Sequence, residues 1–515
     1  LNQQVVDYPA MANKIVEKVR EVVMEWIDSG DCEVSRDLVN RIDFAVVPAV
    51  ASFMKPSYKL YFDSRPNLYQ LMTYYHVYRA LANGDYDKVY LDSTHGINYM
   101  PFLAGEAVRF AVYTYSVQRL KTIRYIVVNS DPYPYSSQSS QTEVPDLSIH
   151  EVYQETVVSR ESPGKIGALS LETLEWYVRV NIDSRDLYDD RKWGQKPLFK
   201  RALSQLIGKL APGNMDALKL GLVVSASLRD ALYPVILSLK DEIEKYRGML
   251  NSELEGLVKS YVEIRREKDK VLVKYMYKPG ILTAERGITY RAMMAMHAAL
   301  EVARKLVEDV GGGVRLVNNS VAFTVDAMDD LNNRYGSIAN QAVVGNEVMK
   351  LRRIKRGINM GFMGKRVGKQ YKLMVFEAHP LDELWSRCVK GDGNACGELD
   401  HKLDLIDSGG GIAEIDDSKY DLCTIALKDS DEAIIDKYRD LVSHAGLDMY
   451  NTYVIITDEG GEREPLITYG DRVNCLKDLI HMSIMIEITG QTRKMQKRGN
   501  KRRNAKKHMP STRQG

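Results

Sequence analysis

At 515 residues the chain is long enough for two or three domains, and 44% apolar with 27% charged residues allows sizeable cores. The formal charge of +2 hides an asymmetry. Residues 491–515 hold ten Lys or Arg and no Asp or Glu, leaving 61 basic against 69 acidic residues, a net of −8, for the rest. That balance argues against a basic nucleic-acid-binding body and places the positive charge in a C-terminal tail.

No stretch approaches 18 consecutive apolar residues, so no transmembrane helix and no membrane partner is expected. No charged-then-apolar leader opens the chain, which predicts a cytoplasmic protein. The chain begins at Leu1 rather than Met, so a start further upstream is expected. Five scattered cysteines without a CxxC pair favour a reducing compartment over a disulfide framework.

Ala10 to Asp28 has helical spacing, with Ile15, Val16, Val19, Val22, Val23 and Trp26 on one apolar face. Phe44 to Val50 reads as a buried strand leading into a small-residue loop at Ala51-Ser52-Phe53. A helix from Asn67 to Ala82, a strand at Val89–Asp92, a helix to about Gln118 and a strand at Ile123–Asn129 follow. Strands alternating with helices of these lengths predict a mostly parallel sheet covered on both faces. Tyr133 to Asp146 reads as loop, Ile149 to Val158 as a further strand, and the domain is expected to end near Ser162-Pro163-Gly164.

Beyond that point the pattern turns helical. From Leu239, residues Ile243, Tyr246, Leu250, Leu254, Leu257, Tyr261 and Ile264 recur at steps of three and four, predicting a long helix with a coiled-coil-like seam. Intramolecular packing and a dimer seam both fit that pattern. Glycine clusters at Gly311–Gly313 and Gly409–Gly411 punctuate the second half. A helix is predicted over Asp431–Ala445 with Gly446 as its C-cap, then a hairpin of Asn451–Thr457 and Glu464–Tyr469, then a helix over Asp471–Ile488. The tail is expected to be disordered.

Two stretches carry chemistry. In Leu91-Asp92-Ser93-Thr94-His95-Gly96-Ile97-Asn98-Tyr99-Met100, a strand stops, five small or polar residues follow, and a helix begins. Such a loop lies at the carboxyl edge of an α/β sheet, where helix N–H groups face anions. Ser93, Thr94, His95 and Asn98 supply polar groups, and Gly96 permits close backbone approach. It reads as a phosphate or nucleotide loop, with an ordinary capped connection as the plainer alternative.

The second stretch is Tyr438-Arg439-Asp440-Leu441-Val442-Ser443-His444-Ala445-Gly446. A guanidinium can grip a phosphate and its developing charge, and an imidazole can move a proton to or from a hydroxyl. Residues five apart lie roughly 140° apart on a helix, so a site shared between two copies suits the pair better than one copy alone. Capping roles are the plainer alternative.

Other candidates are weaker. His297, in a Met- and Ala-rich stretch with Arg291, reads as packing. His379, Cys388, Cys396 and His401 match no common zinc spacing, so no metal is expected. Neither a Walker motif nor a dinucleotide fingerprint is present.

Together, Leu91 to Pro101, Val47 to Phe53 and Asn129 to Pro132 closely resemble the CARF domains of ancillary ribonucleases from type III CRISPR systems. Arg439-x4-His444-Ala445-Gly446-Leu447, the hairpin and the last helix are similar to the HEPN nuclease domain of the same family. The resemblance implies an α/β plus all-α protein: a Rossmann-like CARF sensor over 1–165, a helical linker over 166–235, a helical HEPN effector with a β-hairpin insertion over 236–490, and the tail over 491–515. It implies a homodimer or an assembly of dimers, gated by a cyclic oligoadenylate, most simply cyclic tetraadenylate, and cleaving single-stranded RNA without a catalytic cofactor. Ser93, Thr94, His95, Gly96, Ile97 and Asn98 would hold the activator, with Ser52 and Phe53 lining a second loop. Arg439 would stabilise the phosphorane and His444 would transfer the proton.

Three departures stand out. No first CARF strand is evident before residue 10. Asp440 stands after Arg439 where the family commonly has Asn, and could repel phosphate or tether Arg439. The basic tail lies outside the family pattern. The alternative reading is a nuclease-inactive CARF protein that binds or degrades the cyclic signal.

Overall fold

A computed structural model describes residues 2–29, 36–94, 99–131, 148–181, 215–277, 289–317, 319–336, 338–359, 370–372, 384, 387–388, 390–407, 431–447, 452–459 and 462–488. The chain divides into two compact units, Leu1–Ser162 with Lys245–Glu301, and Pro163–Glu244 with Val302–Gly515. The sequence stretches 132–147, 409–411 and 491–515, discussed above as loop, glycine cluster and tail, lie outside the described residues.

The first unit opens with strand β1 (Asn2–Asp7) and helix α1 (Tyr8–Asp28). The strand corrects the expectation that none precedes residue 10. Asp7 closes the strand and caps the helix, its carboxylate accepting from the Ala10 amide at 3.0 Å. The apolar face of α1 is present but open, with Ile15, Val19, Val22 and Trp26 all among the exposed hydrophobic residues.

After a short helix α2 (Arg36–Val39), the run Phe44–Val50 forms no ladder, contrary to its reading as a strand. Pro48 in its middle has no N–H to donate. The strand starts later, as β2 (Ala51–Met54), and turns back onto β3 (Lys59–Asp63). A connection that short forces antiparallel pairing. Ser52 and Phe53 therefore sit in an edge strand, not in the loop expected for them.

Helix α3 (Pro66–Ala82), strand β4 (Lys88–Asp92), helix α4 (Met100–Arg119) and strand β5 (Ile123–Ser130) follow in the predicted order. The crossover through α4 lets β4 and β5 pair in parallel. Ala107, Phe110, Ala111, Val112, Tyr113 and Tyr115 of α4 are fully buried, the composition of a helix enclosed on several sides. Strand β6 (Ile149–Val157) returns antiparallel along β5.

The seam predicted from Leu239 is interrupted. The helix Lys240–Val258 ends before Tyr261 and Ile264, which belong to β7 (Tyr261–Glu267), hairpinned to β8 (Lys270–Met276). Lys268 in the two-residue turn has φ +47°, an unusual conformation for lysine, so no Gly or Asn advertised the turn. Ile243, Leu250, Leu254 and Leu257 are each about 1% exposed or less, so this part of the seam is spent within the chain.

The strands form two sheets, β1-β7-β8-β3-β2 and β4-β5-β6. Among the described pairs of this unit only β3/β8 and β4/β5 are parallel, which corrects the mostly parallel expectation to a mixed one. His297 is buried, as its Met- and Ala-rich surroundings suggested. Tyr74 Oη donates to its Nδ1 at 2.8 Å, and its Nε2–H donates to Asn251 Oδ1 at 3.0 Å. Burial holds its pKa below the ordinary value, against the opposing pull of Glu301.

The second unit combines helices with an antiparallel sheet of order β11-β12-β13-β10-β9. Its strands are β9 (Val314–Val317), β10 (Ser320–Thr324), β11 (Gln370–Lys372), β12 (Tyr453–Glu459) and β13 (Glu462–Thr468). The predicted hairpin is β12–β13, and it is part of this sheet, not a free-standing insertion. The predicted last helix occupies 473–488.

Helix Ser162–Asn181 crosses Met215–Arg229 at Gly167. A Cβ there would fall 2.3 Å from the Arg229 amide nitrogen and 2.6 Å from the Ser225 carbonyl oxygen. Backbone atoms cannot rotate away. Gly167→Ala is expected to destabilise the protein by roughly 1–3 kcal/mol in urea unfolding, despite alanine's better helix propensity.

His481, on the last helix, is 9% exposed, and its pKa is pushed down to about 4 by burial and then by Lys219, with Asp478 opposing. The unfolded chain therefore binds a proton near pH 6.5 that the folded chain refuses until about pH 4. Its contribution is intact above pH 6.5 and fades as the pH falls toward 4, by about 3 kcal/mol at most. His481→Gln should flatten the stability profile across that window; an unchanged slope would remove His481 as its cause.

Cys388 and Cys396 form a disulfide, correcting the expectation of free thiols. Gly391, at φ +94°, reverses the chain, and Asp392 accepts from the amides of Asn394 and Ala395 to start the helix Gly393–Asp407. Their Cα atoms are thereby brought within 4.7 Å, inside bridging range. Joined to each other, these sulfurs are not thiolate ligands.

Candidate functional site

The carboxyl ends of β4 and β5 are laced by small polar residues. The Ser93 amide and hydroxyl both donate to the Val128 carbonyl, at 2.9 and 3.0 Å. The Thr94 amide donates to Asp92 Oδ1 at 2.8 Å, and the Ser130 amide donates to Thr94 Oγ1 at 2.8 Å. Ser93 and Thr94 thus fix where the loop leaves the sheet. His95, Gly96, Ile97 and Asn98 lie outside the described residues.

The loop rejoins the fold at Tyr99, just before α4. Its hydroxyl accepts from the Val50 amide at 2.7 Å and donates to the Val50 carbonyl at 3.2 Å. This ties Val50, two residues ahead of Ser52, to Tyr99 at the end of the loop expected to hold the activator, so the segments carrying Ser52 and Ser93–Asn98 are joined at this point. Phe53 is 47% exposed and packs edge-on against Phe62.

Asp131, after β5, completes this edge. It accepts from the Ser148 amide at 3.1 Å and pairs with His150 Nε2 at 2.7 Å, and these bonds, His150 first, hold its pKa below the usual range. His150 escapes sequence reading as a neighbour of this edge, because nothing local in Ile149–Val158 marks its pairing with Asp131.

The second stretch occupies the end of the helix Asp431–Ser443. The Ala445 amide bonds to the Val442 carbonyl at 3.1 Å and the Gly446 amide to the Leu441 carbonyl at 2.8 Å, a Schellman closure in which His444 is the C-cap, two residues before the Gly446 expected in that role. Ala445 takes φ +51° and Gly446 φ +88°. Tyr469 Oη donates to the Gly446 carbonyl, and Pro234 Cδ would lie 3.3 Å from a Cβ at Gly446. The turn carrying His444 is therefore held by buried neighbours, not left to fray.

Tyr438 anchors the helix, its hydroxyl donating to Asp230, which also takes two hydrogen bonds from Arg229 at 2.8 and 2.7 Å. Burial, then Asp230, drives the Tyr438 pKa far above its ordinary value, so its hydroxyl stays a donor.

The two residues proposed for chemistry have different surroundings. Arg439 is exposed and pairs with Asp436 at 3.1 Å; its tether is the acid one turn back, not Asp440. His444 is 31% exposed, and its Nδ1 lies 3.4 Å from Oε1 of the buried Glu347. Glu347 escaped sequence reasoning, although a signal exists. It replaces an apolar residue in the stripe Val344, Val348, Leu351 of helix Ile338–Asn359, and all four are buried.

Concerning metals, His401 is exposed and His379 lies outside the described residues. Among the described residues no group of three or more His, Cys, Asp or Glu could hold an ion. Among them, too, no helix is long and apolar enough to cross a membrane.

The family model for the CARF domain of the CRISPR system endoribonuclease Csx1 matches residues 2–132. The matched stretch contains Ser52, Phe53 and the whole Ser93–Asn98 loop, while Arg439 and His444 lie beyond it. A curated relative, the CRISPR system endoribonuclease Csx1 of Methanocaldococcus jannaschii, is 27% identical over 271 residues, 52% of each chain. The chain spans about half the length of that relative.

Proposed function

We propose that this chain is a ribonuclease switched on by a cyclic oligoadenylate, most simply cyclic tetraadenylate, bound at the carboxyl edge of β4 and β5. The observation that carries this reading is the match of residues 2–132 to the CARF domain of a CRISPR endoribonuclease. The Asp92–Ser93–Thr94 lacing around the expected phosphate loop supports it. Two CARF domains would share one activator in a homodimer or an assembly of dimers, with single-stranded RNA as substrate.

The effector, in this reading, is a HEPN domain whose site takes Arg439 and His444 from each of two copies. His444 accepts the 2′-hydroxyl proton, the 2′-oxygen bonds to phosphorus, and the bond to the 5′-oxygen breaks. The leaving oxygen is protonated, giving a cyclic 2′,3′-phosphate and a 5′-hydroxyl. Arg439 must leave Asp436 to meet the phosphorane, an exchange that costs little because exposed ion pairs contribute only about 0–1 kcal/mol. No metal enters this chemistry. Gating requires the activator to bind the active arrangement more tightly than the resting one.

A second reading rests on the same ion pair: with Asp436 on Arg439 and Asp440 beside it, the chain binds or degrades the cyclic signal without cutting RNA. Activator dose-response curves for His95→Ala test the sensor. The proposal expects a higher half-activating concentration with the maximal rate kept, and an unchanged curve would remove this loop from sensing.

A further inference from the structure

We propose that His150, anchored on Asp131, is a further binding residue of the sensor edge and reads a ribose 2′-hydroxyl of the cyclic oligoadenylate. The inference rests on the sensor reading above and adds a residue and a ligand group which that reading does not assign.

The strand register decides which face His150 occupies. Side chains alternate along a strand, so Tyr125, Val127, Asn129 and Asp131 share one face of β5 and its extension. The register shift between Val127 and Val128 inserts Val152 into β6 and leaves the alternation of β5 intact. Tyr125 Oη donates to the Gly105 carbonyl at 3.4 Å, which makes this the face that α4 covers. A Cβ at Gly105 would also meet Leu91 at 3.9 Å, so α4 enters beside the carboxyl end of β4. His150 stands opposite Asn129 in the antiparallel ladder, and directly opposed residues point to the same side. His150 is therefore on the α4 face of the sheet, at the end where the helix N-terminus favours a phosphate.

Asp131 fixes how the imidazole is presented. Its carboxylate accepts from the Ser148 amide at 3.1 Å and from His150 Nε2 at 2.7 Å, while its own amide donates to the Ser148 carbonyl at 3.0 Å. The lowered pKa of Asp131 keeps it ionised, and an ionised carboxylate only accepts. Nε2 thus carries the proton, and in a neutral ring Nδ1 holds the lone pair. Nδ1 makes no bond among the described residues, and the side chain is 56% exposed.

A lone pair selects a hydrogen-bond donor. Cyclic oligoadenylate offers two kinds, the adenine 6-amino group and the ribose 2′-hydroxyl. The hydroxyl is on the carbon next to the one bearing phosphate, whereas the amino group is at the far side of the base. With a phosphate at the start of α4, the hydroxyl is the donor that stays beside His150. Such a contact also separates a ribose ring from a deoxyribose one.

The test is calorimetric titration of full-length protein with cyclic tetraadenylate and with its all-2′-deoxy counterpart, in mildly alkaline buffer. His150→Phe keeps a flat ring but has no acceptor. It should weaken binding of the ribo ring roughly threefold to tenfold, the worth of one neutral hydrogen bond, and leave the deoxy ring unaffected. Asp131→Ala, which releases the imidazole, should show a smaller loss of the same kind. Because His150 is exposed, both variants are expected to melt like the wild type. Unchanged binding of the ribo ring by His150→Phe, or an equal loss for both rings, overturns the proposal. Binding of neither ring by the wild type would instead count against the sensor reading and remove this inference with it.

Discussion

His444→Ala is expected to lower activator-dependent RNA cleavage by roughly 10²–10⁴-fold, the range that a positioned proton-transfer group supplies. The loss should appear in kcat, because the imidazole acts on a proton in transit and not on the bound RNA as a whole. Binding of cyclic tetraadenylate should be unchanged, since the expected ligand loop lies at Ser93–Asn98. The substitution also removes a hydrogen bond from the buried Glu347, so a stability loss of about 1–3 kcal/mol is expected alongside. His444→Gln, which can still donate to Glu347, separates the two effects: it should recover stability and not activity. Arg439→Ala makes the complementary case. Its ion pair with Asp436 is exposed, so activity should fall while the melting temperature stays within error. Retained cleavage in His444→Ala would remove that residue from the mechanism.

Tyr469→Ala is expected to cost roughly 3–5 kcal/mol, measured by chemical unfolding, which is among the larger losses available to a single residue here. Its side chain is fully buried, and its hydroxyl bonds the Gly446 carbonyl at the turn that carries His444. Tyr469→Phe isolates the hydroxyl. It keeps the ring and leaves the carbonyl without that donor, for an expected cost of about 1–2 kcal/mol. A larger fall in kcat than in KM for the phenylalanine variant would show that the turn's position, and not only its stability, matters to the chemistry.

The sequence carried the parts of the fold whose order and periodicity are local. Helix α3, strand β4, helix α4 and strand β5 were legible because short apolar runs that stop at polar residues alternate with helix-length stretches. The β7–β8 hairpin was not. Leu257, Tyr261 and Ile264 continue a helical spacing by coincidence, and the turn at Lys268-Asp269 contains no glycine or asparagine. Pairing partners were illegible for a different reason: β1 finds β7 some 260 residues later, and no periodicity encodes that choice. The same limit governs the site. Ser93, Thr94, Arg439 and His444 announce themselves by type and spacing, whereas Glu347 and His150 become relevant only when folding brings them to His444 and Asp131.

The most direct measurement of the central claim follows labelled single-stranded RNA incubated with full-length protein in EDTA, with and without cyclic tetraadenylate. The account predicts cleavage only with the activator, undiminished by chelation, and products ending in a cyclic 2′,3′-phosphate and a 5′-hydroxyl. Intact RNA in both reactions, or cleavage that EDTA abolishes, would contradict it.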